Sequence, residues 1–134
     1  MSDIRIAIIV VRNAHGDFFV HRRRADKRVF PGLFGLGAGG RIEADETPLQ
    51  GARRELLEET GIDAEPEPVI AFPFTSGAVH YTVHLFEVRH DGPIANHHAE
   101  WSWSGWETPD RVAARLARGE LCPDTAAGYC WLKH

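Results

Sequence analysis

GGRIEADETPLQGARRELLEETGI, residues Gly39 to Ile62, decides how the rest of the chain is read. Thr47, Pro48 and Gln50 stand where a helix N-cap, its first turn and a capping-box partner belong, and Gly61 supplies a stop. A helix over residues 47–60 puts Leu49, Ala52 and Leu56 on one face, expected to be the core face. Glu55, Glu58 and Glu59 fall together on another, with Asp45 and Glu46 just before the helix. Like charges three and four residues apart destabilise a helix by ~0.2–0.5 kcal/mol each. Carboxylates in the last turn also oppose the helix dipole, at ~0.3–1 kcal/mol each. A hard divalent cation, Mg²⁺ or else Mn²⁺, reverses both signs, because clustered carboxylate oxygens are what such ions prefer. A solvated acidic face is the plain alternative. It does not account for the glycine-rich lead-in, the capped start and the closing glycine.

Upstream, IRIAIIVV (Ile4–Val11) is β-branched and short, which predicts a buried strand. NAHGD predicts a turn, and FFVHR (Phe18–Arg22) the returning strand of a hairpin. The basic run HRRRADKR leads into VFPG and a glycine-dense stretch through Gly40, suited to short strands and close backbone approach. Downstream, PVIAFPF and VHYTVHLFEV (Val79–Val88) predict strands, DGPIANHHAE a polar loop and WSWSGWE a strand. Thr108-Pro109 opens a second helix to about Arg118, before Gly119. The expectation is one α+β domain over residues 1–134, a mixed sheet with helices packed on it.

With 43% hydrophobic and 25% charged residues, the 134-residue composition is that of a globular chain rather than a disordered one. A net charge of −4 offers no global basic surface to a nucleic-acid polymer or an anionic membrane. Cys122 and Cys130 form no CxxC pair and read as reduced thiols, and no stretch approaches membrane-spanning length or a cleavable leader. A cytoplasmic protein acting on a small molecule is expected, with a homodimer left open.

Gly40, Glu46, Arg54-Glu55-Leu56, Glu58-Glu59, Gly61 and Ile62 match every fixed place of GX5EX7REUXEEXGU, in which U is a bulky aliphatic. That is the Nudix box, and the chain resembles a Nudix domain over most of its length. The resemblance implies an α/β/α sandwich and hydrolysis of a nucleoside diphosphate linked to another moiety, X. It makes Glu55, Glu58 and Glu59 metal ligands, with Glu55 and Glu58 also catalytic candidates. It makes Arg54 the arginine that orients a catalytic carboxylate. Gly40 and Gly61 would serve loop geometry, and Glu46 would support the loop. Physically, bound Mg²⁺ offsets the diphosphate charge while a carboxylate takes the proton of the attacking water.

Residues 21–40 resemble the branch that includes isopentenyl-diphosphate isomerase and its hydrolase-like relatives. Arg24 and Lys27 then become diphosphate contacts, with Gly39 and Gly40 beside the substrate. The isomerase pattern has a cysteine where Gly39 stands and a degraded box, whereas this box is intact, so hydrolysis is the better reading. A non-catalytic nucleotide sensor is the other rival, and the full set of glutamates speaks against it. Glu100 lies six residues before Trp106, the spacing at which related members carry a loop glutamate that binds metal or acts as general base. Trp101, Trp103 and Trp106 are too many for core alone, and Trp103 is the candidate for lining the substrate pocket. His80 and His84 read as sheet histidines, while His97 or His98 are candidate substrate contacts. X is not named by the sequence.

Overall fold

The computed structural model describes residues 4–95 and 99–132; the His97 and His98 candidates lie outside them. In chain order come β1 (Arg5–Arg12), β2 (Phe18–Arg23), β3 (Phe34–Leu36), β4 (Ala38–Arg41), α1 (Pro48–Thr60), β5 (Glu67–Ser76), β6 (Val79–Arg89), β7 (Trp101–Glu107), α2 (Pro109–Ala117) and α3 (Pro123–Gly128). Among the described residues seven strands make one mixed sheet. β1 runs parallel to β6 and antiparallel to β4, and β5 pairs with β6 as an edge. Pro68 and Pro73 suit that edge, because proline cannot donate to a second neighbour.

The expected hairpin forms only at its turn. Asn13 Oδ1 accepts from the His15 and Asp17 amides and closes it. β1 and β2 then touch in register only at Arg12 and Phe18 before parting, and β2 takes β3 and β7 as neighbours instead. The cause is Gly37, between β3 and β4. It has φ +73°, and a Cβ there would lie 1.8 Å from the Ile9 carbonyl oxygen, so only glycine fits. Its amide donates to the Phe19 carbonyl at 2.7 Å. The chain from Phe34 to Arg41 thus pairs with β2 by its first half and with β1 by its second. The sheet splits there, and the split opens into the cavity described below.

Alternation along β1 divides the core. Ala7, Ile9 and Val11 face α1 and pack with Ala52, Leu56, Phe86 and Trp101. Ile8 and Val10 face the other way, toward Val83, Leu85, Val112 and Leu121, beneath α2 and the C-terminal segment. Helices therefore cover both faces of an α/β/α sandwich. α1 is capped as expected: Thr47 Oγ1 accepts from the Gln50 amide, the Gln50 side chain accepts from the Thr47 amide, and Gly61 is left-handed. Ala52 and Leu56 are fully buried and Leu49 packs against that core. α3 was not foreseen. The six-residue PDTAAG segment carries too little periodicity to announce a helix, and it forms because Phe34 exchanges backbone bonds with Glu120 and Cys122.

Candidate active site

The repulsion expected on α1 is largely taken up by one cation. The Arg54 guanidinium makes a two-bond fork with Glu46, Nε to Oε2 at 2.7 Å and Nη2 to Oε1 at 2.9 Å. Nη1 donates to Glu55 Oε1 at 2.9 Å and reaches Glu58 at 3.3–3.4 Å. The Arg54 hydrogen bonds and the Glu43 amide hold the Glu46 carboxyl down to about 2. Glu46 therefore supports the Arg54 platform, which in turn fixes Glu55.

The three box glutamates do not share one environment. Glu58 is exposed and stands outside the cavity lining, whereas Glu55 and Glu59 line a cavity of about 720 Å³ together with Glu100. The Glu55 carboxylate lies directly over Gly40: a Cβ there would sit 2.4–2.6 Å from its Cδ and both oxygens. Absence of a side chain is what Gly40 contributes, a close approach rather than a turn. The Gly39 amide donates to Glu59 Oε1 at 3.1 Å. Burial pushes the Glu59 carboxyl up to about 9, the neighbouring charges of Glu55 and Glu100 adding to the rise against that single amide bond. Glu100, from the loop before β7, forms an ion pair with the Lys27 ammonium.

These donors fit a hard divalent cation. They are all carboxylates, and Glu59 has no cationic partner among the described residues. No three of the described groups converge into a ready-made cage. Glu58, held only by its long contacts to Arg54, is the least constrained of the set.

The basic residues are arranged otherwise than expected. Arg24 pairs with Asp26 two residues on, Lys27 is drawn to Glu100, and neither lines the cavity. Arg23, Arg28 and Arg41 do. A register shift between Arg22 and Arg23, where β2 meets β7, upsets simple alternation at this point. Gly39 and Gly40 line the cavity. Trp103 does not: it lies edge-on against Phe34, while Trp101 supplies the cavity's indole and Trp106 packs on Phe19.

Behind Trp101 stacks His21, ring centroids 4.6 Å apart and planes within 8°. Its Nδ1 lies 2.6 Å from the Gly37 carbonyl, which can only accept, so Nδ1 carries the proton and Nε2 is left as an acceptor. Burial lowers the imidazole to about 4, and the ring is neutral at pH 7. Tyr81, Cys122, Asp124 and Thr125 close the α3 side of the cavity. His21 and Asp124 had no motif to mark them, and pairing of distant segments alone brings them to the site.

The NUDIX domain model matches residues 2–129. The chain belongs to the Nudix family. The uncharacterised Nudix hydrolase SCO1686 of Streptomyces coelicolor is 32% identical over 96% of this chain and 73% of its own length. The uncharacterised Nudix hydrolase YfcD of Escherichia coli K12 is 35% identical, over 96% and 72%. Among solved structures, DR0079 of Deinococcus radiodurans superposes with a TM-score of 0.79 at 26% identity, covering 92% of this chain and 79% of that one. The split mixed sheet, covered on both faces by the described helices, is thus a Nudix fold, and its reaction class is that of the Nudix pyrophosphohydrolases. No described helix is long and apolar enough to cross a membrane.

Proposed function

We propose that this Nudix protein hydrolyses a phosphoanhydride bond in a nucleoside diphosphate linked to a further moiety, with Mg²⁺ as the natural cofactor and Mn²⁺ as a substitute. The observation that carries the reading is the part-buried Glu59, which has no cationic partner among the described residues and lines, with Glu55 and Glu100, the wall of a cavity roomy enough for a nucleotide. Glu55, Glu58 and Glu59 would hold the cation. When bound, it supplies charge neutralisation for the diphosphate and acidifies a water for attack at phosphorus. The chain's own groups do the rest. Arg54, locked by Glu46, keeps the Glu55 carboxylate over Gly40. Arg23, Arg28 and Arg41 bring positive charge to the cavity wall for the substrate phosphates. Glu100, ion-paired with Lys27, is the candidate to take the water's proton. We place this activity in the cytoplasm, on a dissolved substrate.

A panel of nucleoside triphosphates, nucleotide sugars, dinucleoside polyphosphates and isoprenoid diphosphates, run with Mg²⁺, Mn²⁺ or chelator in ¹⁸O-water, tests the reading. Metal-dependent release of a product with label on phosphate is expected. Rearranged isoprenoid diphosphate without phosphate release, or no hydrolysis of any anhydride, overturns it.

A further inference from the structure

The box accounts for what Glu46 holds but not for what holds Glu46. Its turn, Glu43 to Glu46, is exposed apart from the half-buried Glu46 itself. Two bonds lie inside the turn, from the Glu46 amide to the Glu43 carbonyl at 3.0 Å and from the Glu43 amide to Glu46 Oε1 at 2.8 Å. They fix its shape and not its place. Place comes from Arg5, at the start of β1. Its Nη2 donates to the Glu43 carbonyl at 2.7 Å and to the Glu46 carbonyl at 3.0 Å. The Arg5 carbonyl accepts from the Ile42 amide at 2.9 Å, just before the turn. One residue thus pins a turn 38 to 41 residues further along the chain. Arg5 forms no ion pair among the described residues, although Glu43, Asp45 and Glu46 all lie in that turn. Among the influences on the Glu46 carboxyl the Arg54 bond comes first and the Arg5 charge last. Its hold is therefore geometric. β1 lies between β4 and β6, with Arg5 in register with Thr82, so the hold is rooted inside the sheet.

We infer that Arg5 is a positioning residue, which seats the Glu46 turn and, through Glu46 and Arg54, sets the Glu55 carboxylate over Gly40. The inference rests on the hydrolase reading for its effect on turnover, and on the chain of contacts alone for its effect on geometry. That chain runs from Arg5 to the turn, from Glu46 to Arg54 at 2.7 and 2.9 Å, and from Arg54 Nη1 to Glu55 Oε1 at 2.9 Å. Once the turn is released, the guanidinium keeps its 3.0 Å bond to the Arg41 carbonyl but is free to swing about it. Groups that orient a metal-binding side chain are worth ~10–100-fold in metal affinity or activity. Arg5 stands further out than those, so the low end of that range applies.

Arg5→Met keeps the stem and removes the donors, while Arg5→Lys replaces the guanidinium with a single ammonium. Solvent exchange of the Arg54 Nε–H, followed by NMR in the protein free of metal and substrate, reads the geometry directly. It should quicken ~5-fold or more in Arg5→Met, about what one hydrogen bond is worth, with a smaller shift in Arg5→Lys. On the best panel substrate, kcat should fall ~10-fold in Arg5→Met with KM within about twofold, and Mn²⁺ should bind the substrate-free protein more weakly. Arg5→Met added to Glu46→Gln should cost no further kcat, because both act through Arg54. Ile9→Val, which loosens the same strand in the core, should lower the melting temperature and leave Arg54 exchange and kcat alone, as losing a merely structural Arg5 would. Unchanged Arg54 exchange in a folded Arg5→Met, or additive kcat losses in the double variant, overturns the inference. Should Arg5→Met not fold, unchanged exchange in Arg5→Lys overturns it equally. If wild type hydrolyses no anhydride, the reaction reading fails while Arg54 exchange still decides this one. Hydrolysis by wild type with Arg54 exchange undisturbed in Arg5→Met would do the reverse.

Discussion

Replacing Gly40 with alanine isolates the position of one carboxylate. A methyl group there would begin 2.4 Å from Glu55 Cδ and 2.5–2.6 Å from its oxygens, whereas ordinary contact starts near 3.4 Å. The carboxylate therefore has to retreat by about 1 Å, and the 2.9 Å bond from Arg54 has to stretch or turn with it. Glu55 can do so cheaply, because the obstructed atoms are the end of a flexible side chain. Gly40 has no positive φ to lose, and alanine removes ~0.4–1 kcal/mol of unfolded-chain entropy, so stability should scarcely change. A misplacement of that size at a reacting centre costs about 10²-fold in rate, near 2.7 kcal/mol of barrier. Gly39 provides the contrast: its new Cβ would meet the Ala7 carbonyl at 2.8 Å, a backbone atom with nowhere to go. Gly40→Ala should thus melt like wild type and lose about two orders of magnitude in kcat, while Gly39→Ala should lose stability. The measurements are a thermal melt and steady-state hydrolysis of the best panel substrate across a Mg²⁺ titration. A folded Gly40→Ala with kcat within about threefold of wild type refutes the reasoning, for the exact seat of Glu55 would then be immaterial.

Glu58→Gln should nearly abolish turnover, yet in chelator it should melt no lower than wild type, since it removes an exposed charge held only by long contacts to Arg54. Turnover retained on every wild-type substrate would sink the cation assignment. Glu100→Gln should lower kcat by ~10²–10⁴-fold with a much smaller change in KM; a loss under about threefold makes Glu100 a rim residue and sends the search for the base to the helix glutamates. Glu107 is bound by two Arg115 bonds of 2.7 and 2.8 Å, which hold its carboxyl below the ordinary value of 4.5. A depressed carboxyl lends stability above its unfolded pKa and loses it as pH falls through the folded one. Melting temperature should accordingly drop more steeply below about pH 4.5 in wild type than in Glu107→Gln, and parallel profiles would contradict that.

Local chemistry was legible in the sequence. The α1 cap is built from Thr47, Gln50 and Gly61, all within the helix or one residue of it, and each did in the structure what its residue type suggests. Glu46 as a support was implied by the resemblance to the Nudix box, and it bonds Arg54. Helical spacing could group Glu55, Glu58 and Glu59, but it could not say which of them would turn into the cavity, because that depends on β4 lying under α1. The basic residues went astray for a related reason. Arg23 and Arg28 reach the cavity where Arg24 and Lys27 were expected, since an irregular register and a local aspartate redirect the run. Asp124 meets Tyr81 across 43 residues of chain, a distance over which no spacing rule operates.

The strand that changes partners at Gly37 also works as a ruler. Near one end, Phe34 clasps Glu120 and Cys122 and so sets where Asp124 stands. Near the other, Gly39 tethers Glu59 and Gly40 seats Glu55. Four residues separate Gly35 from Gly40, each step along the chain rising ~3.3 Å apart from the bend. Both ends of the cavity are thus indexed to marks on a single piece of backbone. Lengthening that segment by one residue would move the two ends apart and reverse which way every following side chain points, so the seats of Asp124 and of the box carboxylates can only be changed together.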